Sequence, residues 1–532
     1  MSKKEHNKIR FRLKVLYGVL YFGVFLIMLE LILVLAGSGN IREEEHYADR
    51  EQIENLILIH YENSQEGKEQ TQVEVPKDSP LLQIPENPEI RVVIKTTDFT
   101  DVYHDVLEIT CAGAFALSDE SSGVKVAYEA GEILKITPKS TCFLNGDVIR
   151  IFPKQEQLLQ VLGISRHYGA PCYRGSLEIR RTQEGLILIN QLPFEEYLYS
   201  CVPSEMPASY PMEALKAQAI SARTYAFRFL LSPGYPEYEA HLDDSTTYQV
   251  YNNIKEQDST NQAVDETRGQ ILFSSTGELI ESYYYSTSCG IGADGDIWGN
   301  ENYPAYLEAK LLNASVMTGY MEESKSPLVS SGETDYSDEK QFEAFITNVK
   351  ETDFEARENW YRWKYEVADI DMEELYCQLK ICSGKSKWSV MVLEEGRFIT
   401  GQIKKFKRLE RMVISERGRG GNVQAMILYT DAGVYQVQGG QNIRTLLLNN
   451  NTQFQLVDGS TTTLSSMLPS SFFILDTGNV DGNVVGYTVV GGGLGHGVGM
   501  SQNGAKNMAY AGYTAQEILT FFYNDCLIYA GG

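Results

Sequence analysis

The sequence predicts an α+β protein: a β-rich core with one long helix and a pair of C-terminal helices, preceded by a small β-rich module and an N-terminal transmembrane helix. Three observations carry that reading. Short apolar alternations such as IRVVIKT, VLEIT, VKVAYEA and DVIRIF, broken by Asp, Ser and Gly turns, have the two-residue period of strands. The stretch MEALKAQAISARTYAFRFL (212–230) contains no Gly or Pro and reads as a helix. Val15 to Ala36 is an almost unbroken apolar run, long enough to cross a bilayer as a helix.

Residues 1–14 carry Lys3, Lys4, Lys8, Arg10, Arg12 and Lys14, a basic flank that stays cytoplasmic and sends everything after the anchor at 15–36 outside the cell. A cleaved signal peptide would have a shorter apolar region, and no convincing small-x-small cleavage site precedes the acidic stretch. Glu30 reads as a tolerated off-centre charge in the span. Residues 37–88, rich in Glu, Gln and Asn with prolines at 76, 80, 85 and 88, form an acidic stalk. The small β-rich module occupies 89–170. The core follows at 171–308 and 400–532, interrupted by an insertion at 309–399 that holds Trp360, Trp363 and Trp388 and has no assigned chemistry.

Within the core, Pro211 suits the first turn of the long helix. Alanines 214, 217, 219, 222 and 226 let another element approach closely, and Lys216, Ile220, Arg223 and Phe227 share one stripe. Strands return after Gly418–Gly421 in VQAMILYT and VYQVQ and lead to a glycine-dense loop. Gly512 caps one helix, and Thr514 with Glu517 makes a capping box that opens the last.

With 71 acidic against 46 basic residues the net charge is −25, which repels nucleic acid and leaves it an unsuitable partner. The eight cysteines are scattered without a CxxC pair or zinc spacing; Cys377 and Cys382 are close in sequence, but no pairing is assigned. Asp243 and Asp244 beside His241 read as an acidic turn rather than a hard-metal site. Neither GxxxxGK[ST] nor a strand-GxGxxG unit occurs, so no nucleotide, cofactor or metal is expected.

Two distant segments concentrate the chemistry: FEEYLYSCVPSEMPASYPMEALKAQAISARTYA (194–226) and GGGLGHGVGMSQNGA (491–505). With YRGSLEIR (173–180), LILINQLPFEEYL (186–198), DDSTTYQVY (243–251), ESYYYSTSCG (281–290) and DIWGNENYPAYL (296–307), they give a chain that resembles the stage II sporulation protein D family over roughly 170–308 and 400–527. That family includes peptidoglycan lytic transglycosylases and amidase enhancers. The resemblance implies that Glu205, in the Ser-Glu-Met-Pro turn, is the catalytic acid.

Cleaving a glycosidic bond requires a proton for the leaving oxygen, and most glycosidases add a second carboxylate. A lytic transglycosylase needs only one, because the 6-hydroxyl of N-acetylmuramic acid attacks its own anomeric carbon. Pro203 and Pro207 stiffen the backbone around Glu205, while Val202, Met206 and Tyr210 offer apolar neighbours that favour the protonated acid. The positive end of the following helix acts in the opposite sense. Glu195 and Glu196 read as packing or capping residues.

Substrate contacts are expected from Lys216, Gln218, Arg223 and Tyr225 on the long helix, Ser286 in the ESYYYSTSCG segment, and His496, Ser501 and Gln502 in the glycine segment. Arg223 suits a lactyl carboxylate, since a guanidinium fork matches planar anions. Glycine backbone lets a sugar chain approach closely, as part of the groove wall. His496 reads equally as a general base and as a loop histidine that orders the glycines. Some family members carry a zinc site of two histidines and two cysteines. Here Thr247 and Tyr248 precede Gln249 with no cysteine nearby, which argues against one.

The expected function is a membrane-anchored extracytoplasmic lytic transglycosylase that cleaves the MurNAc–GlcNAc bond of peptidoglycan glycan strands with 1,6-anhydroMurNAc formation, in sporulation or wall remodelling. The alternative is a non-catalytic amidase enhancer that binds wall glycan and activates a peptidoglycan amidase. Other wall hydrolases, sporulation membrane proteins, and the membrane through 15–36 complete the expected partners. A cysteine peptidase using Cys289 with His496 is a third reading, without a supporting signature.

Overall fold

Alternating apolar residues do build strands across most of the chain, and the computed structural model is a strand-rich mixture of α and β. It describes residues 88–530 apart from 120–122, 124, 144–145, 300–301, 324–333, 387, 450–452 and 465. The expected tail, the anchor and all of the stalk but Pro88 lie outside the described residues. Among the described residues no helix is long and apolar enough to cross a membrane. The chain divides into two compact bodies, one ending at Ser282 and regaining the chain from Leu527, the other running from Tyr283 to Cys526.

The first body is organised on an eight-stranded sheet. Its order is Leu242–Asp243, Glu89–Ile94, Leu186–Pro193, Ser176–Arg181, Val148–Pro153, Phe115–Asp119 and Lys125–Tyr128, with Tyr103–His104 also pairing on Leu186–Pro193. Strands on both sides of residue 170 therefore share one sheet. All the main pairs are antiparallel except the edge pair of Val92 with Leu242 and Val93 with Asp243. One face presents Ile90, Val92, Ile94, Leu177, Ile179 and Leu188 to a core shared with the helices, while Val93, Ile187 and Ile189 meet Ala240 on the other. A four-stranded sheet of Leu134–Ile136, Leu107–Cys111, Leu159–Val161 and Cys172–Tyr173 lies beside it in the same core.

Three helices follow the central strand: α1 (Phe194–Glu205), α2 (Met212–Leu231) and α3 (Asp258–Glu266). Helix α1 starts directly at Pro193, so strand and helix are joined without a loop. In α2, Ala214, Ala217, Ala219, Ala222 and Ala226 are all fully buried. Their small side chains let α1, α3 and the strand Gln270–Ser274 pack on a single helix. Pro211 sits at the N-cap, one position earlier than expected.

The second body holds two five-stranded antiparallel sheets. One is ordered Thr461–Thr462, Phe454–Leu456, Trp363–Val367, Asn483–Gly491 and Phe473–Val480. The other is ordered Arg397–Ile399, Val390–Glu394, Gly433–Gln438, Val423–Thr430 and Leu409–Arg417. They share a core around Trp363, Tyr365, Phe454, Tyr435 and Leu428. The stretch 309–399, read from sequence as an insertion without a role, supplies the middle strand of the first sheet. At the C-terminal side, Gln502–Tyr510 and Ala515–Phe522 are helical, and the latter opens with the Thr514–Glu517 capping box.

Candidate functional site

Glu205 is the last residue of α1 rather than part of a free turn. Beneath it Cys201, Val202 and Met206 are fully buried, and the Cys201 thiol is pushed well up, first by burial and then by the charge on Glu205. The loop 249–254 is stitched to this helix end. Val250 N–H donates to Glu205 Oε1 at 2.6 Å, and the N–H groups of Asn253 and Ile254 donate to Ser204 Oγ at 3.0 and 3.1 Å. Buried Gln249 fixes that loop by accepting from the Tyr197 hydroxyl at 3.0 Å and donating to the Ala222 carbonyl at 3.2 Å. On the far side, Ser259 donates to the Ala208 carbonyl at 2.7 Å. The carboxyl group is therefore held at a partly exposed position by a backbone N–H of the loop 249–254, which is itself tied to the end of α1.

The other residues expected on this helix do different work. Lys216 and Arg223 do point the same way, as their spacing implies, but what they meet is α3 and the turn after it. Lys216 Nζ lies 2.9 Å from Glu213 and 2.8 Å from Glu266, which raise its pKa, Glu266 foremost. Arg223 is buried and grips Glu195 with two hydrogen bonds of 2.9 and 2.8 Å, while its remaining donors reach the carbonyls of Val264 and Gln270. A substrate carboxylate would have to displace Glu195 to reach it. Gln218 is also fully buried, which places its amide in the interior rather than on a groove. Tyr225 is half-buried, with its ring 5.3 Å from Phe229.

Asp243 and Asp244 are buried ion-pair partners. Lys95 lies 3.1 Å from Asp243 and Arg166 lies 2.6 Å from Asp244, tying this segment to the first strand and its flank. His241 accepts the Arg91 N–H through Nδ1, and burial with the nearby Arg91 charge lowers its pKa to about 4.

Ser286, His496, Ser501 and Gln502 belong to the second body. The glycine loop is an interior feature. A Cβ on Gly492 would lie 2.3 Å from the Tyr361 carbonyl, and one on Gly499, whose φ is +78°, would lie 2.0 Å from the Tyr283 carbonyl. The close approach that glycine permits is thus to the protein's own backbone, not to a sugar. His496 has both nitrogens engaged: Nδ1 accepts from Val498 N–H at 3.1 Å, so Nε2 carries the proton and donates to the Tyr284 carbonyl at 3.0 Å. Burial pushes its pKa down to about 4, and the neutral ring packs among Tyr283, Tyr285 and Trp298. This is the ordering role of the two readings given to it.

Ser501 is fully buried, donating to Glu355 Oε1 at 2.6 Å and capping the Gln502–Tyr510 helix by accepting Gly504 N–H. Gln502 is the first residue of that helix and is half-buried. Ser286 is half-buried with its carbonyl accepting Asn503 N–H at 3.0 Å. Glu355 escapes sequence reading because it lies in 309–399, far from any motif. It is fully buried, accepts from Ser288 N–H at 2.8 Å and from the hydroxyls of Ser288 and Ser501, and burial pushes its pKa up to about 7. It thereby joins the STSCG segment to the glycine segment. Cys289 is sealed, with its thiol driven to about 12 by burial, so it is an inert packing residue rather than a nucleophile. All eight cysteines are free thiols.

Residues 182–273, which span α1, the Glu205 carboxyl and the loop that holds it, match the family model described as stage II sporulation protein, and residues 293–499 match a domain family of unknown function. The stage II sporulation protein D of Bacillus subtilis (strain 168) is 34% identical over 135 residues, 23% of this chain and 39% of that protein. The chain carries a stage II sporulation protein D domain. The amidase enhancer of the same organism is 27% identical over 327 residues, 61% of this chain and 39% of its own length. An uncharacterised protein of Brachyspira hyodysenteriae (strain ATCC 49526 / WA1) is 40% identical over 119 residues, 22% of this chain and 32% of the relative. Each alignment spans well under half of the relative it matches. In the sporulation-protein domain, the Ser204–Glu205 pair is where the motif's two polar side chains receive backbone N–H groups from one loop.

Proposed function

We propose that this protein acts on the glycan strands of the cell wall as a lytic transglycosylase, with Glu205 as the acid that protonates the leaving oxygen and then takes the proton from the attacking 6-hydroxyl of the muramyl unit. The observation that carries this is the fixed Glu205 carboxyl, oriented by Val250 N–H at the end of α1 inside the segment that matches the sporulation-protein model. Intramolecular attack needs one positioned carboxyl, and Glu195, the nearby acid that could have served as a second, is consumed by Arg223. The N-terminal anchor would hold the activity at the outer face of the membrane.

The test is digestion of purified glycan, with and without stem peptides, followed by mass spectrometry. The expected result is 1,6-anhydromuramic ends with the wild type and a loss of about a hundredfold or more with Glu205→Gln. Release undiminished in that variant sinks the proposal. A second reading, an amidase enhancer that binds wall glycan, is favoured by the relative of that name matching 61% of the chain. Absence of cleavage together with stimulation of a wall amidase would select it.

A further inference from the structure

Trp298 is 52% exposed, an unusual position for the largest apolar side chain, and it is held there rigidly. It ends the 3-10 turn Gly295–Trp298. Asp294, just before this turn, accepts two hydrogen bonds of 2.9 Å from Arg419, and Asp296 within it accepts one of 2.7 Å from Gln424 on the strand Val423–Thr430. The indole leans on the Tyr283 ring at 4.5 Å between centroids and on the His496 ring at 5.5 Å. His496 is itself pinned by Tyr284 and Val498, so the support under the indole does not rotate.

We infer that Trp298 is a saccharide-stacking platform on the second body. A pyranose presents a flat face of C–H groups and a rim of hydroxyls, and this site offers a matching pair of surfaces. The indole supplies one aromatic plane, and beside it the partly exposed Arg419 guanidinium, held by buried Asp294, and the Gln424 amide, held by Asp296, supply polar groups. A protein partner would call for a broader apolar patch, whereas the turn under Trp298 adds only the half-buried Ile297 to the apolar surface. Because the turn, Tyr283 and His496 are already fixed, little ordering remains to be done when a sugar docks. The same arrangement explains why a histidine interrupts the glycine segment: its neutral ring buttresses the platform. The inference rests on the glycan reading above and deepens it by naming the residue that grips the polymer.

The experiment is calorimetric titration of the full chain with tri-N-acetylchitotriose and with denuded glycan strands. Trp298→Ala is expected to weaken binding by roughly tenfold, Trp298→Tyr to recover most of it, and Trp388→Ala, at the other exposed indole, to leave it as it is. Equal affinity of wild type and Trp298→Ala, or no saccharide binding by the wild type, overturns the inference. Should Trp298→Ala fail to fold, the wild-type indole N–H resonances decide it, since no perturbation of Trp298 by saccharide is equally fatal. Trp298-dependent binding without anhydromuramic product would sink the transglycosylase reading and leave this one standing. Cleavage with an unchanged KM in folded Trp298→Ala would overturn this one alone.

Discussion

A buried acid without a cation behaves differently from one that has found a partner, and Glu355 and Glu195 show the contrast. Glu355 is sealed with only hydroxyl and amide donors, and its neighbour Glu358 adds repulsion, so burial raises its pKa to about 7 against 4.5 for the ordinary group. The folded protein therefore keeps a proton that the unfolded chain releases. The stability this confers is present below about pH 4.5 and is lost as pH rises toward 7, a span of about 3 kcal/mol. Thermal midpoints measured from pH 4.5 to 8 should fall more steeply with pH in the wild type than in Glu355→Gln, and parallel curves would refute this. Glu195 is instead paired with Arg223, and Arg223→Met should cost about 3–5 kcal/mol in urea unfolding because it strands a buried carboxylate. The double change Glu195→Leu with Arg223→Met should recover most of that. If Arg223 gripped substrate instead, the single change would raise KM at nearly constant stability. Glu205 is singled out in the sequence because a motif surrounds it; Arg223 and Lys216 were legible only in direction. Helical spacing tells which way two side chains point, but not that α3 occupies that side.

At the scale of elements, local signals were reliable wherever the determinants lie within one turn. Helix α2 and the Thr514–Glu517 capping box are found where the spacing places them, because a helix and its cap are fixed by residues three or four apart. The glycine segment was legible as special but not in its purpose, since most of the residues that crowd it come from 283–293 and 360–363, far away in the chain, with Phe472 and Tyr523 adding to them. Its glycines are packing requirements, which gives a prediction. Gly499→Ala places a Cβ against the Tyr283 carbonyl at a φ of +78°, so it should cost about 2 kcal/mol or more and lower the thermal midpoint by several degrees. A neutral outcome would mean that the loop is free to shift. The role of Trp363–Val367 as a middle strand was likewise invisible, because strand order depends on partners about a hundred residues away, Phe454–Leu456 and Asn483–Gly491.

Across the whole molecule the decisive quantity is charge. If a chain of net charge −25 works, as proposed, on a polymer bearing lactyl and peptide carboxylates, it must either carry a basic patch or bind against repulsion. The two cations expected to make such a patch are already neutralised, Lys216 by Glu213 and Glu266 and Arg223 by Glu195. The cluster of Arg91, Arg150 and Arg180 on the sheet is likewise gathered around buried Glu178: burial alone would raise that carboxyl, but hydrogen bonds from Arg91 and Arg180 hold it down to about 2. On the proposed function, repulsion should then dominate at long range, and contacts to glycan should be short-range stacking and hydrogen bonds. Raising ionic strength from about 0.01 M to about 0.1 M shortens the screening length from about 30 Å to about 10 Å. Association with peptide-bearing wall glycan should accordingly become faster and tighter over that range, while binding to uncharged chitotriose should hardly change. Affinity for wall glycan that falls as salt rises would instead reveal an unneutralised basic surface that dominates recognition.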